Sequence, residues 1–502
     1  MLRQQKIKQK SIDVALLNSE KNQSDLDKSL SNDLQENYLL LKQAFDKCSD
    51  VIFREISIQE QMNVLMIYTD GMADAKAFEQ TVLKPLLYDG LPQGLGKIQD
   101  LSQACERELF SILDTQTITK TGELITAILS GQIAILVEHE ATAFVANLKN
   151  VEKRAVQEPK LEASIRGPRE GFTESLRVNT SLIRKRIPSH KLKMESFKIG
   201  KITQTNLVVM YIDSIVNESV LSEVKKRIGK IETDEILDSE YIEEWIEDVP
   251  FSPFPQIQNT ERPDIATSCL LEGKVVIITD TTPCCLIAPM TFWVGLQAAD
   301  DYYDRFMYVN AMRIVRFTFA LAALLLPAFY VMLTTYHQGM IPQTLMISIA
   351  AARETSPFPT AIETVIMELI FEGLQEAGLR LPNQIGPLVS IVGALVIGEA
   401  AVQAGFISAP IVIIVAATGI SSYVIPRYSF GYAFRILRFV LLILASSLGL
   451  IGMSVGIMAI LIHLVRIQSF GVPYFAPVAP RIRKQMTDLI LRVPKRFTKP
   501  RR

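Results

Sequence analysis

Three stretches in the last third of the chain are almost free of charge, and a series of glutamates is set among them. Residues 317–352 contain no Asp, Glu, Lys or Arg, residues 381–426 contain only Glu399, and residues 439–465 contain none. A helix needs roughly 20 mostly apolar residues to cross about 30 Å of hydrocarbon. The last third therefore reads as a membrane domain, and its carboxylates need a physical reason, because charge is costly there. Between the first two stretches, Glu368, Glu372 and Glu376 recur every four residues. That spacing places all three on one helix face. Such a face can line a water-filled path that attracts cations. It can equally belong to a helix at the membrane surface, or find partners such as Arg353 and Arg380. Glu399 lies in an apolar run with Ala394, Gly398, Ala401 and Gly405, small residues that let helices approach closely. It is either a functional acid or a polar pin in a bundle.

Spans are expected at about 317–336, 386–405, 407–425 and 438–463, with 286–299 and 341–353 too short to cross. The basic residues do not settle the topology. Arg427, Arg435 and Arg438 precede the last span, while Arg466 and a basic tail follow it. A single span cannot have both flanks on the positive-inside face. The tail, residues 467–502, has nine basic residues against Asp488 and reads as a membrane-surface anchor or as topology bias.

The first 285 or so residues are ordinary in charge, and the whole 502-residue chain has a net charge of −1, which gives no case for nucleic acid. Residues 1–48 read as a mobile polar arm with one or two short helices. Beyond it, strands are expected at 63–68, 133–137, 143–146, 207–212, 275–279 and 285–288, and helices at 121–130 and 217–231. Two small α/β subdomains follow, at 49–155 and 156–290, before a transmembrane domain at 291–466. The fold class is thus an α/β cytoplasmic region of two small subdomains and then a polytopic all-α transmembrane domain. No internal repeat stands out. Five cysteines at irregular spacing make no disulfide framework and suit a reducing compartment. The start, MLRQQKIKQK, lacks the apolar core of a cleaved signal peptide.

Catalytic signatures are missing. The histidines at 139, 190, 337 and 463 are scattered, and Gly90, Gly94 and Gly96 lack the Lys-Ser or Lys-Thr of a phosphate loop. There is no G-x-S-x-G elbow. The reading is of a non-enzyme without metal or cofactor. Two proline-rich runs remain: Pro253, Pro255, Glu261, Arg262 and Pro263 in 251–264, and Arg353, Glu354, Pro357 and Pro359 in 353–359. On physics alone the first is an extended linker.

These runs carry a resemblance. Together with 166–169 (RGPR), 300–303 (DDYY), 376–382, 397–402 and 469–474 (SFGVPY), they are similar to the A subunits of GerA-type spore germination receptors, the GerA/GerB/GerK A-subunit family. The resemblance implies a multi-pass protein of the spore inner membrane with its soluble domain on the core side. It implies a permease-like B subunit and a lipoprotein C subunit as partners, and a homo-oligomer, taken as a pentamer, that conducts cations under nutrient control. In that setting Glu368, Glu372, Glu376 and Glu399 become candidates for the ion path, and the residues of the two proline-rich runs become structural or gating candidates. Two alternatives stay open: a non-conducting scaffold, and an accessory paralogue acting during ion release. Glu399 and the 281–285 run (TTPCC) depart from the family's usual pattern.

Overall fold

The computed structural model describes residues 28–58, 62–80, 115–148, 158–159, 162, 166–380, 396–482, 486 and 488–494. A loop that the sequence suggests at 89–96, helices that it suggests around 98–113, the first half of the span at 386–405 and Cys105 lie outside the described residues. The chain forms two compact units. One contains Pro168–Ile246 and Asn259–Ile287 together with the preceding strands; the other contains Glu247–Gln258 and the chain from Ala288 onward.

The first unit is built from α1 (Leu34–Ala44), β1 (Val51–Ile58), β2 (Met62–Thr69), α2 (Ala75–Phe78), β3 (Thr115–Ile118), α3 (Thr121–Leu129), β4 (Ile133–Val137) and β5 (Ala143–Ala146). It continues with α4 (Leu176–Arg186), β6 (Leu192–Ile199), β7 (Thr205–Ile212), α5 (Glu218–Ile228), α6 (Ser239–Ile246), β8 (Gln258–Thr260), α7 (Pro263–Leu271), β9 (Val275–Thr279) and β10 (Cys285–Ala288). The strand orders are β1-β2-β4-β5-β3 and β6-β7-β9-β10-β8, which are one topology used twice. The expectation of no repeat is therefore corrected.

The two copies agree at the level of individual bonds. Val64 pairs with Val137 in the first sheet, and Leu207 pairs with Thr279 at the matching position of the second. Gly131 and Gly273 end α3 and α7 with φ of 86° and 85°, a left-handed turn that glycine makes without strain. The N–H groups of Gly131 and Gln132 bond to the carbonyls of Ile128 and Ala127; those of Gly273 and Lys274 bond to Leu270 and Cys269. Buried Asn37 clasps Ser31 through two bonds of 2.9 and 2.6 Å, and buried Asn179 clasps Thr173 in the same way at 2.7 and 2.6 Å. The buried face of α1, with Leu41 fully enclosed, belongs to the first core and ends the polar arm well before residue 48.

The first sheet is covered on both sides. Leu65, Ile67, Ala134 and Leu136 pack with Leu41, Leu124 and Ile128, while Val64, Met66, Ile135 and Val137 pack with Phe78. A strand buried on both faces reads as a continuous apolar run, as 133–137 does. The copies are joined by a buried ion pair. Arg184, fully buried on α4, donates Nε and Nη2 to Asp50 at 2.7 and 2.9 Å and uses its remaining donors on the Ser189 and Leu192 carbonyls. Beside it, the Met194 N–H donates to the Lys47 carbonyl and the Ser49 N–H to that of Met194.

Burial dominates the cysteines too. Cys48, Cys269 and Cys285 are buried and form no disulfide, and burial pushes the Cys284 thiol up to about 12, helped by the Glu261 carboxylate. The Cys285 thiol is pushed up well beyond the ordinary range by the same cause. Thiolate is the reactive form. Iodoacetamide should therefore label both residues slowly in native protein at neutral pH and fast after unfolding, as mass spectrometry would record. Rapid native labelling would refute this placement.

The second unit is helical: α8 (Phe306–Thr335), α9 (Gln343–Arg353), α10 (Thr360–Arg380), α11 (Ala409–Tyr423) and α12 (Tyr428–Arg466), closed by the short ladder of β11 (Gln468–Ser469) and β12 (Val472–Pro473). Among the described residues, α8 and α12 are long and apolar enough to cross a membrane. Straight, the 39 residues of α12 would reach about 58 Å, nearly twice the hydrocarbon thickness. The helix is instead a hairpin. At Gly449 the backbone reverses with φ 61° and ψ −134°. A Cβ at Gly456 would lie 2.5 Å from Leu441, and one at Gly452 would lie 2.0 Å from the Leu444 carbonyl, so the arms touch along their length. Phe430 and Phe434 share a cluster with Leu464 and Ile467, which places both ends of α12 together.

The turn leaves carbonyls without helical partners, and α8 supplies donors. Tyr336 Oη donates to the carbonyls of Ser446 and Ser447 at 2.9 Å each, and His337 Nε2 accepts the Leu450 N–H at 3.4 Å. The expected single span at 438–463 is thus corrected to two antiparallel arms. The conflict over the basic flanks disappears with it, since Arg427 and Arg466 lie at the same end.

Candidate functional site

Helix α10 runs through the second unit with its polar stripe turned inward. Thr360, Glu363, Thr364, Glu368 and Gln375 are all buried, and Met367 packs with Val331, Ile411, Val415 and Leu442. Residues three, four and seven apart share a face, so the stripe meets the first arm of α12 as a line. There Arg435 and Arg438, one turn apart, meet Glu368 and Glu372. Arg435 donates Nε to Glu372 at 2.7 Å, and Nη2 of each arginine also contacts that carboxylate. Arg438 Nη2 lies 3.1 Å from Glu368, a charge contact outside hydrogen-bonding angles. Arg438 and Glu368 are essentially inaccessible, at 1% and 0% of their side-chain surface. Two positive and two negative charges thus cancel inside an apolar bundle, which is the arrangement that makes burial of charge tolerable.

The partners among the described side chains are Arg435 and Arg438 rather than the Arg353 considered from the sequence; the Arg380 side chain lies outside the described residues. Glu376 and Glu399 are exposed, and Glu399 accepts a bond from Gln403 at 3.1 Å. The four glutamates therefore do not form one site: two are paired in the interior and two lie on the surface of the unit.

A fifth carboxylate, Glu363, carries a role that the sequence reading passed over. It is fully buried and accepts the Ser408 N–H at 3.0 Å, the Ser408 hydroxyl at 2.9 Å and the Ser356 hydroxyl at 2.8 Å. Ser408 is the N-cap of α11, so a carboxylate stands at that helix's positive end. The signal available was its register, one turn from Thr360 and Met367 on the apolar side of the helix. Of the 353–359 run, Ser356 reaches this network and also donates to the Phe406 carbonyl at 3.2 Å. Arg353 is half-buried, and Glu354, Pro357 and Pro359 are exposed.

The 251–264 run is packed rather than extended as a free linker. In the second unit, Phe254 is buried among Phe292, Phe430, Phe434 and Tyr474. The Tyr474 hydroxyl donates to the Pro255 carbonyl and the Ser469 hydroxyl to that of Gln256, both at 2.7 Å. Pro253 is half-buried beside Ser252, whose hydroxyl bonds His463 at 2.9 Å. In the first unit, Glu261 accepts the Phe172 N–H through its carbonyl, and Pro263 opens α7. Arg262, fully buried, forks onto Asp264 at 3.1 and 3.0 Å and holds the Glu162 and Pro168 carbonyls. These residues act by holding backbone in place.

The basic tail is likewise docked as far as Arg492. Asp488 accepts from Arg313 and Tyr302 at 2.9 Å each, Asp301 accepts from Arg313 and Arg316 at 2.9 Å, and Arg492 lies buried against the Asp301 carbonyl. The second DDYY tyrosine, Tyr303, packs on Gly167 of the RGPR run, where a Cβ would come within 2.8 Å of its ring.

The family model described as "Bacillus/Clostridium GerA spore germination protein" matches residues 40–502. An "Uncharacterized membrane protein YfkQ" of Bacillus subtilis is 44% identical over 93% of this chain and 90% of its own length. "Spore germination protein KA" of the same organism is 42% identical over 93% of this chain and 85% of its own length. "Spore germination protein GerLA" of Bacillus cereus is 38% identical over 90% of this chain and 92% of its own. Among solved structures, the N-terminal domain of the A subunit of the Bacillus megaterium spore germinant receptor GerK3 matches 53% of this chain at 31% identity, with a TM-score of 0.42. On residues 40–502 and these full-length relatives, the chain belongs to the GerA family of spore germination proteins.

Proposed function

We propose that the chain is the A-type membrane subunit of a spore germination receptor, acting with B and C subunits, and that copies of it assemble around a path for monovalent cations. The observation that carries this reading is the charge cluster of Glu368 and Glu372 with Arg435 and Arg438, the arginines lying on α12, one of the two helices long and apolar enough to cross a membrane. Ionisable groups within a membrane domain are rare and usually mark a conduction or relay route. Both basic ends of the α12 hairpin lie on the side that the positive-inside rule assigns to the spore core. Glu399 is exposed, and copies assembled with that face inward would present a ring of acids that attracts cations. A ligand bound to a partner would then bias closed and open arrangements.

The test is potassium flux from liposomes holding the full chain, with and without its partners. Glu368→Gln combined with Glu372→Gln leaves two uncompensated arginines. It should lower cation flux on the order of tenfold, the scale of one lost favourable charge contact. Unchanged conductance and selectivity would remove these residues from the path. A second reading, a non-conducting scaffold, is favoured by the neutrality of the same cluster, which suits a structural pin. A wild-type assembly that leaks no potassium under any partner or nutrient would establish it.

A further inference from the structure

Beyond the cation path, the interior of a single copy carries a second feature. Both carboxylate oxygens of Glu368 are buried without a hydrogen-bond partner, as are Nε and Nη1 of Arg438 and Oε1 of Gln375. Their side chains are at least nine-tenths enclosed. Neighbouring Glu372 is in the opposite condition, with donors from both arginines. One member of the cluster is thus saturated and the other is not. Buried polar atoms generally find partners, so a group of unpaired ones points to a small ligand that reaches them.

The kind of ligand follows from the mixture. Unpaired donors and unpaired acceptors stand side by side here. A bound metal cation takes only acceptors and would leave the unpaired Arg438 donors unsatisfied. Water both donates and accepts hydrogen bonds and fits both kinds of atom. A line of polar side chains extends the site along α10: Thr364 lies one turn before Glu368, and Gln375, bonded to Ser422 at 3.5 Å, lies two turns after it. Arg438 and Arg435 from α12, and Glu372 on α10 itself, are the charged groups that face Glu368; Val331 of α8 and Ile411 and Val415 of α11 bring no charge. Tyr330 of α8 is the further titratable group packed in this cluster.

We propose that Glu368 is a proton-exchange site inside each copy, its carboxylate becoming the acid by taking up a solvent proton that water along the α10 stripe relays, and re-forming as the proton is handed back to that water. The site belongs to one chain and does not depend on a ring of copies. Its ligand is the proton, and Arg438 is the positioning residue that holds the carboxylate in the stripe.

The experiment uses the full chain in vesicles of phosphatidylethanolamine and phosphatidylglycerol loaded with a pH-sensitive dye. A pH step is applied with valinomycin present to carry compensating charge. Proton entry should be fast with the wild type, slower on the order of tenfold with Glu368→Gln, and partly restored with Glu368→Asp. Infrared difference spectra between acid and alkaline buffer should show a carboxylic-acid band that Glu368→Gln removes; a purely structural residue would give no such band. If Glu368→Gln does not fold, Gln375→Leu, which leaves the charges intact, should slow proton entry severalfold. Wild-type proton entry in the folded variants, or no band assignable to Glu368, would overturn the proposal. Potassium flux on the same vesicles separates it from the cation-path reading, because either can fail while the other stands.

Discussion

Replacing Arg438 by alanine should destabilise the helical unit by about 3–5 kcal/mol, the usual cost of stripping one partner from a buried ion pair. Arg438 is 1% exposed and touches two carboxylates, one of which, Glu368, is wholly enclosed. Solvent therefore cannot replace the lost charge. Glu372 keeps Arg435, but among the described residues Glu368 keeps no cation within contact distance. The measurement is the denaturant or thermal midpoint of the detergent-solubilised chain. The double variant Arg438→Ala with Glu368→Ala should recover part of the loss, since the two effects are coupled through one contact. A single variant within about 0.5 kcal/mol of wild type would mean that the pair does not hold the bundle.

The second large effect is expected at Arg184. Its guanidinium is fully buried and makes four bonds, two of them to Asp50, so it closes the junction between the two copies of the α/β motif. Arg184→Ala leaves Asp50, itself 8% exposed, without its cation and strips two buried carbonyls of their donor. The loss should again be about 3–5 kcal/mol. It should appear as early unfolding of the sheets, read by proteolysis of the region around 47–50 and 189–194 before the helical unit melts. Arg184→Lys should rescue little, because an ammonium cannot reproduce the bidentate fork. Simultaneous melting of both units, or rescue by lysine, would refute this account of the junction.

The two sites differ in how visible they were beforehand. Strands 133–137, 143–146, 275–279 and 285–288 could be read to the residue, because double-sided burial demands an unbroken apolar run. Strands β1 and β6 could not. Their sequences, VIFREISI and LKMESFKI, carry charge along the solvated half of an edge strand. The duplication hid for a related reason. The copies share little identity beyond pairs such as Asn63 with Asn206, Tyr68 with Tyr211 and Gly131 with Gly273. What they share is register and capping, which many sequences satisfy. The Gly449 turn was invisible because no charge or proline interrupts the apolar run there; its carbonyls are satisfied by Tyr336, more than a hundred residues away.

The sequence by itself determined that the last third is membrane-like, that an acidic series lies on one face of a helix, and which family its proline-rich and neighbouring runs resemble. The first two follow from hydropathy and from the 3.6-residue period, which are local properties, and the third from the runs themselves. Only the tertiary structure decided that the acids at 368 and 372 face arginines 63 to 70 positions away, that the last apolar helix folds back on itself, and that two dissimilar halves of the α/β region are one motif. Each depends on which distant side chain satisfies a buried charge or carbonyl, and a one-dimensional pattern does not contain that choice.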